Sequence, residues 1–241
     1  MDIKVHKQYQ NTQDTHWWFK VRDNLLQDIA LKYFPEKGRV LDFGCNFGHS
    51  VKLLQNLGYM AEGLDISQEP INYGKSIGIE NIFVTSEKTF SANTFDAAIV
   101  LDVLEHIKDD KKAFQDITSL VKPGGIVVFT VPVYMFLWST NDEISHHYTR
   151  YATTRLINLS KELGDFEIMK KSYFNTILFL PIAIFRILSL FWKNKLYRSD
   201  LSINNEFINK LFFTIFDFER KILKHFNFPF GVSALIVLRK K

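Results

Sequence analysis

The hydrophobic pattern of the chain changes its period repeatedly between residues 38 and 170. Short apolar runs alternate with segments in which apolar residues recur every three or four positions, so strands should alternate with amphipathic helices. That alternation predicts right-handed crossovers and a parallel sheet. "KPGG" (122–125) predicts a turn before the fifth strand. The seven predicted strands are RVLDFG (39–44), MAEGLDIS (60–67), NIFVTS (81–86), FDAAIVLDV (95–103), IVVFTVPV (126–133), FEIMKKSYF (166–174) and GVSALIVLRK (231–240).

The connection between the last two strands is too long to be a plain loop. It begins with "NTILFLPIAIFRILSLFW" (175–192), which is close to the length that spans a bilayer. Pro181 and Arg186 argue against a spanning helix, because a mid-membrane arginine is costly. We therefore predict a hydrophobic helical insertion over 176–229 and an N-terminal helical cap over 1–37, both within one domain spanning 1–241.

Charge and aromatic residues are unevenly distributed over the 241 residues. Residues 1–150 carry 15 basic and 19 acidic side chains, whereas residues 151–241 carry 15 and 7. Twelve of the 23 phenylalanines lie between Phe174 and Phe230. A basic, aromatic C-terminal third suits either an anionic or lipid-like partner or a larger core with solvated lysines. The single cysteine and the polar N-terminus lead us to expect a cytoplasmic protein without a secretory signal.

Candidate chemistry is concentrated at the exit of the first strand, in "VLDFGCNFGHS" (40–50). Ligands of open α/β sheets bind at the carboxyl ends of strands. Gly44 permits a sharp turn and Gly48 permits close packing of the next helix. Asp42 would repel a pyrophosphate but suits a cationic amino group, and Asp65, at the end of the second strand, can accept both hydroxyls of a ribose. S-adenosylmethionine combines these two groups.

"GLDIS", "FDAAIVLDVLEHI" and "KPGGIVVFTVP" follow this turn in order and at fitting spacing. With these motifs, residues 38–170 resemble class I S-adenosylmethionine-dependent methyltransferases. The resemblance implies an α/β, Rossmann-like seven-stranded sheet of order 3-2-1-4-5-7-6 with strand 7 antiparallel. It also implies S-adenosylmethionine as cofactor, or S-adenosylhomocysteine as its product. The middle glycine of the family's turn is Asn46 here, a residue type that tolerates a left-handed backbone.

The same resemblance assigns roles to residues along the cofactor. Asp42, Gly44 and Gly48 shape the methionine end, together with Cys45 and Asn46 of the turn. Asp65 binds the ribose and Ile66 packs on the adenine. The remaining cofactor-binding candidates are Ser86, Glu87, Leu101 and Asp102.

Two histidines are the catalytic candidates. His147, in "NDEISHHYTRY" (141–151), lies in a segment that resembles the family's acceptor-facing region. It is either a general base for a hydroxyl acceptor or a structural hydrogen-bond donor. His106 belongs to "DVLEH", where Asp102, Glu105 and His106 can converge. Similar ExxEH clusters bind a divalent ion in some quinone and small-RNA methyltransferases, with a further histidine after strand five, which His146 or His147 could supply. Asp102 has a shorter reach than the family's glutamate, and we predict no metal.

The flanking segments leave further alternatives open. "HWWFKVR" (16–22) resembles an aromatic segment that closes over the cofactor, although Trp17 and Trp18 could equally fix the N-terminal helix to the core. Arg150 and Tyr151 either contact an anionic acceptor or support the next helix. Cys45 is a packing residue rather than a nucleophile.

The combined expectation is a methyltransferase acting on a small-molecule, glycan or lipid-type acceptor, at oxygen. Residues 176–198 are the candidate for peripheral contact with the inner face of the membrane, where a lipid-linked acceptor would be met. The alternatives are a nucleic-acid methyltransferase and a non-catalytic cofactor-binding protein. No nucleic-acid partner is expected, because the insertion's phenylalanines are not interleaved with basic residues as in a stacking platform. The oligomeric state is left open by the sequence.

Overall fold

The computed structural model describes residues 12–13, 15–189 and 205–241. Within these residues, seven strands form one sheet in the order β3-β2-β1-β4-β5-β7-β6. The strands are β1 (Arg39–Phe43), β2 (Met60–Asp65), β3 (Ile82–Val84), β4 (Phe95–Leu101), β5 (Val121–Pro132), β6 (Phe166–Phe174) and β7 (Ser233–Lys240).

Five of the seven strands, β1 to β5, are mutually parallel. Helices lie in the connections from β1 to β2, from β2 to β3 and from β4 to β5, whereas residues 85–94 connect β3 to β4 without a helix. β7 pairs antiparallel with both β5 and β6, from Ile126↔Arg239 to Pro132↔Ser233 on the β5 side. The predicted topology is therefore confirmed, including the antiparallel seventh strand. Its consequence is that β1, β2, β4, β5 and β6 all end at one edge of the sheet.

Helices cover both faces of this sheet. They are α1 (Trp17–Tyr33), α2 (His49–Asn56), α3 (Gln68–Ser76), α4 (Asp110–Ser119), α5 (Thr140–Ile144), α6 (Thr153–Leu163), α7 (Phe179–Ser189) and α8 (Glu206–Leu223), with 3₁₀ turns at Leu104–His106 and Met135–Leu137. The core has two layers, one beneath α1, α2, α3 and α8 and one beneath α4 and α6.

One predicted turn is wrong. "KPGG" belongs to β5, which already begins at Val121. The register jumps from Phe95↔Val121 to Ala97↔Ile126, so the extra residues form an irregularity inside the strand pair. A Cβ on Gly125 would lie 2.8 Å from the carbonyl oxygen of Asp96, so the backbones of β4 and β5 approach too closely for a side chain there.

The predicted insertion between β6 and β7 contains α7 and α8, and among the described helices none is long and apolar enough to span a bilayer. α8 packs along α1, where Arg220 pairs with Asp28 and Asp217. Asn209 of α8 also accepts a hydrogen bond from the backbone N–H of Trp17, at 2.7 Å. The insertion thus fixes the N-terminal helix in place.

Candidate active site

The turn after β1 has the backbone that its sequence predicts. Gly44 and Gly48 have φ of 82° and 87°, and Asn46 has φ of 51°. A Cβ on Gly44 would lie 2.4 Å from Val103 Cγ2, so the turn also approaches the β4 loop too closely for a side chain. The prediction that Asn46 keeps the turn by adopting the left-handed backbone is confirmed.

Asp65 is hydrogen-bonded to the backbone of this turn. Its Oδ2 accepts the backbone N–H of Asn46, and its Oδ1 accepts that of Ser67, both at 2.8 Å. An ionised carboxylate offers about four acceptor positions, so lone pairs remain on both oxygens. Asp65 is therefore oriented by the backbone and can still accept hydroxyl groups of a ligand.

Asp42 is almost fully buried, with 3% of its surface exposed. Burial, followed by repulsion from Asp65, raises the pKa of Asp42 to about 7, and Arg22 and His49 oppose this rise. The carboxyl group therefore titrates near neutrality in the unliganded protein. A cationic group placed beside it would favour the ionised form.

Arg22 is a site residue that the sequence reasoning did not single out. From the middle of α1, its Nη1 lies 3.2 Å from Asp102 Oδ2. Asp102 also accepts the hydroxyl of Thr130 at 3.1 Å and has φ of 56°. The segment "HWWFKVR" (16–22) contains Arg22. Its place in the site could not be predicted, because it depends on how α1 packs in the fold.

The predicted adenine side of the site is open. Ile66 follows β2 with 84% of its surface exposed, and Ser86 and Glu87 are exposed in the turn after β3. Leu101 is half-buried at the end of β4. The Cys45 thiol is buried, and burial followed by Asp42 and Asp65 raises its pKa, which makes the thiol inert.

The structure brings Glu105, His106 and His147 together, with one potential ligand atom from each lying within 4.8 Å of the others. The rings of His106 and His147 meet edge to face at 4.5 Å. Burial, then His147, lowers the pKa of His106 to about 4, so this ring is neutral at physiological pH. Asp102 is not part of the cluster, because it lies before the 3₁₀ turn with a left-handed backbone.

Asp142 is completely buried and holds the segment around His147 together. Its carboxylate lies 2.9 Å from His147 Nδ1, and it accepts Arg150 Nε at 2.7 Å and Nη2 at 3.1 Å. Burial tends to raise the pKa of Asp142, but the hydrogen bonds from His147 and Arg150 and the charge of Arg186 hold it well below its usual range. Asp142 is therefore ionised throughout the physiological range.

The contacts of the two tryptophans, and those of Arg150 and Tyr151, favour the structural alternative in each case. Trp17 meets Phe216 edge to face, and Trp18 stacks on Phe216 and Phe174, so both tryptophans fix α1 to the core. The buried Arg150 is engaged by Asp142 and by the carbonyl of Val133, at 3.2 Å. Tyr151 donates to Asp110 at 3.1 Å.

The sequence model of a methyltransferase domain family matches residues 15–164, which is more than half of the chain. This chain belongs to the methyltransferase domain family. The match begins just before α1 and ends after α6, so it contains the β1 turn, Asp65, the "DVLEH" segment and His147.

Curated relatives of this methyltransferase domain share part of its length. A "Ubiquinone biosynthesis O-methyltransferase" of Colwellia psychrerythraea is 31% identical over 38% of this chain and 41% of its own. The protein of the same name from Vibrio cholerae is 31% identical over 48% of this chain and 55% of its own. The chain thus spans about half the length of the curated relatives it matches.

The fold is shared with solved methyltransferases. An S-adenosylmethionine-dependent methyltransferase from Archaeoglobus fulgidus superposes with a TM-score of 0.58 at 17% identity, covering 92% of this chain and 94% of that one. At this identity the likeness concerns the fold. Together with the family match, it confirms the predicted methyltransferase fold, for which S-adenosylmethionine is the predicted cofactor.

The residues of this methyltransferase domain fit that cofactor. The Asn46 side-chain oxygen is buried in the turn and has no hydrogen-bond partner among the described residues. The polar side chains of the site are the acidic Asp42 and Asp65 and the basic Arg22. These charges match a ligand that has a cationic amino end and a carboxylate. No phosphate-binding arrangement is needed for such a ligand.

Proposed function

We propose that the protein is an S-adenosylmethionine-dependent methyltransferase that transfers a methyl group to an oxygen of a small-molecule, glycan or lipid-type acceptor. The observation that carries the proposal is the arrangement of Asp42, Asp65 and the glycine turn at adjoining strand ends, with Asn46 bonded to Asp65 at 2.8 Å. His147 follows β5, which is separated from β1 by β4, and an acceptor would approach from that side. S-adenosylmethionine, when bound, supplies an electrophilic methyl group.

The cofactor roles follow from charge and position. Asp65 accepts the ribose hydroxyls, and Asp42 pairs with the cationic amino end. Arg22 exchanges its partner Asp102 for the methionine carboxylate, a role we add to the predicted set. The turn residues Gly44, Cys45, Asn46 and Gly48 contribute backbone groups, while Ile66, Ser86, Glu87, Leu101 and Asp102 surround the adenine and the methyl-bearing end.

His147 is the proposed general base. A hydroxyl acceptor must lose its proton as its oxygen bonds to carbon, and a histidine within reach can take that proton. The neutral His106 is the second candidate, but its pKa of about 4 makes it a weak base at neutral pH. We therefore assign proton transfer to His147 and a supporting contact to His106.

Oxygen is the favoured acceptor atom because the curated relatives are named O-methyltransferases of ubiquinone biosynthesis. An apolar acceptor is supported by the exposed side chains of Leu180 on α7 and Phe207 on α8, at 65% and 77%. Leu180 lies within residues 176–198 and so also supports their peripheral contact with the membrane, which for a cytoplasmic protein is the inner face. Lys193, Lys195 and Arg198, which follow the apolar run, lie outside the described residues.

Transfer of labelled methyl from S-adenosylmethionine to an alkylated catechol, used as a hydroxyl-bearing probe acceptor, tests the proposal. Label in the catechol, lost in His147→Ala but kept in Asp116→Asn on the exposed face of α4, is the expected result. Label recovered only in added RNA or DNA would favour the nucleic-acid alternative. Binding of cofactor without transfer to this acceptor or to a cell lipid extract would favour the non-catalytic one.

Turnover measured in the presence of a chelator tests the prediction that no metal is bound at Glu105, His106 and His147. Turnover should survive ethylenediaminetetraacetate, because the buried Asp142 already orients His147 without an ion. Loss of turnover on chelation, with recovery on adding Mg²⁺, would instead make the cluster a metal site.

A further inference from the structure

The contacts of Asp142 point to a function beyond holding the loop. Its carboxylate accepts four hydrogen bonds, from the backbone N–H of Ser139 at 2.9 Å, from the Ser139 hydroxyl at 3.0 Å, and from Arg150 Nε and Nη2 at 2.7 and 3.1 Å, and it lies 2.9 Å from His147 Nδ1. Arg186 of α7 is a further cation, 3.7 Å away. So many donors around a fully buried carboxylate keep it ionised.

An ionised carboxylate can only accept a hydrogen bond. The proton in the contact with His147 therefore lies on the histidine, at Nδ1, and in the neutral ring Nε2 keeps its lone pair. The backbone of His147 is fixed to the same residue, because its N–H donates to the carbonyl of Asp142 at 2.9 Å. Asp142 thus sets both the tautomer and the position of the ring.

The surroundings of this segment make the arrangement rigid. Tyr148 donates its backbone N–H to the carbonyl of Glu105 at 2.7 Å, and Tyr151 donates to that of Pro132 at 2.8 Å. Arg186 donates to the carbonyl of Leu137 at 2.7 Å, so α7 also holds the segment. The side chain of His147 is 11% exposed, so a small part of its surface remains accessible.

We propose that Asp142 is a positioning residue that fixes His147 as the Nδ1–H tautomer and so presents Nε2 as the base for the acceptor hydroxyl. The inference rests on the proposed function for the chemical use of Nε2, but the tautomer itself does not depend on turnover. Asp142 does not touch the acceptor and acts only through His147.

Nitrogen-15 NMR of the histidine rings in the 241-residue chain reads the tautomer directly. The His147 signal is assigned by its absence from the spectrum of His147→Gln. We expect Nδ1–H in the wild type. In Asp142→Asn the amide can turn its NH₂ towards Nδ1, and we expect Nε2–H or a mixture. Asp116→Asn, the matched exposed change, should leave the wild-type tautomer.

Kinetic measurements distinguish a role of Asp142 in positioning His147 from a role in stabilising the fold. With the alkylated catechol, Asp142→Asn should lower kcat by about 100-fold or more, while calorimetric affinity for S-adenosylhomocysteine stays within about twofold of wild type. An Nε2–H tautomer in the wild type would overturn the proposal, as would a switched tautomer with unchanged kcat. If Asp142→Asn does not fold, the wild-type spectrum still decides the tautomer.

A wild-type protein that transfers no methyl group would contradict the proposed function and leave the NMR result readable. The two failures are therefore distinguishable, because one is seen in turnover and the other in the ring spectrum.

Discussion

The ionisation of Asp42 destabilises the folded protein. Its carboxyl group is buried near Asp65, and its pKa is raised from 3.8 to about 7 by burial and then by that neighbour. The folded protein therefore binds a proton at Asp42 that the unfolded chain releases between about pH 4 and 7. The contribution of Asp42 to stability is fully present below pH 4 and is lost as the pH rises through 7.

Replacing Asp42 by Asn should remove this pH dependence and weaken cofactor binding together. At pH 8 we expect Asp42→Asn to raise the free energy of unfolding by roughly 1–3 kcal/mol relative to wild type, with little difference at pH 4. Urea unfolding at both pH values measures this, with Asp116→Asn as the exposed control. The charge assignment would be wrong if Asp42→Asn lost stability at pH 8 and still bound S-adenosylmethionine normally.

Residue positions that a local sequence pattern defines could be predicted from the sequence. Asp42, Gly44 and Asp65 lie at strand ends that the apolar runs define, so their convergence follows from the sheet. Arg22 and Asp142 could not be found this way. Arg22 meets Asp102 from 80 residues away in sequence, and the importance of Asp142 depends on how a loop folds around it.

At the scale of elements, the turn between β1 and α2 is constrained by its neighbours as much as by its own backbone. A Cβ on Gly48 would lie 2.8 Å from Ile82, and one on Gly74 of α3 would lie 2.2 Å from the carbonyl oxygen of Phe47. The first two helices after the turn can pack closely only because these positions lack side chains.

A pair of glycine substitutions separates backbone conformation from close approach. Gly44 and Gly58 have φ of 82° and 90°, but a Cβ on Gly44 would meet Val103 at 2.4 Å, whereas that on Gly58 meets nothing within 4 Å. We expect Gly58→Ala to cost about 1 kcal/mol of unfolding free energy and Gly44→Ala about 1–3 kcal/mol more.

Denaturant unfolding measures both variants, and calorimetry compares their affinity for S-adenosylhomocysteine. Gly44→Ala should also lose cofactor binding, whereas Gly58→Ala should keep it. Equal costs in the two variants would show that the β4 loop yields easily and that the turn is not held by its neighbours.

Element boundaries were predictable where one pattern decided them and not where two competed. "KPGG" has the composition of a turn, but β5 pairs with β4 both before it, at Val121, and after it, at Ile126, so the strand runs through it. The helices of the insertion were expected from their apolar residues, yet their docking on α1 through Arg220 and Asn209 depends on contacts about 190 residues apart.

At the scale of the whole molecule, the sheet order follows from the alternation of strands and helices together with the family resemblance. The exposed apolar surface of α7 and α8 does not follow from the pattern, because burial depends on what the helices meet. Leu180, Ile184 and Phe207 are 65%, 49% and 77% exposed. Leu180 and Ile184 lie one turn apart on α7, and exposed apolar residues that lie together are typical of an interaction site.

Vesicle co-sedimentation tests whether this surface meets lipid. Wild-type protein should bind vesicles of anionic phospholipid at low salt, and Leu180→Gln with Ile184→Gln should reduce the bound fraction several-fold by removing buried apolar area. Leu31→Gln changes an equally exposed leucine on α1, at 68%, and should leave binding unchanged. Absence of vesicle binding by the wild type would exclude the membrane contact.

The measurement that tests the central claim most directly is calorimetric titration of S-adenosylmethionine into wild type, Asp65→Ala and the control Glu69→Ala. Glu69 is exposed in the first turn of α3, four residues from Asp65. Saturable one-to-one binding to wild type and Glu69→Ala is expected. Asp65→Ala should bind about 100-fold or more weakly, because two charge-assisted hydrogen bonds are lost at roughly 1.5–3 kcal/mol each. Equal affinity in all three proteins, or no binding to wild type, would contradict the account.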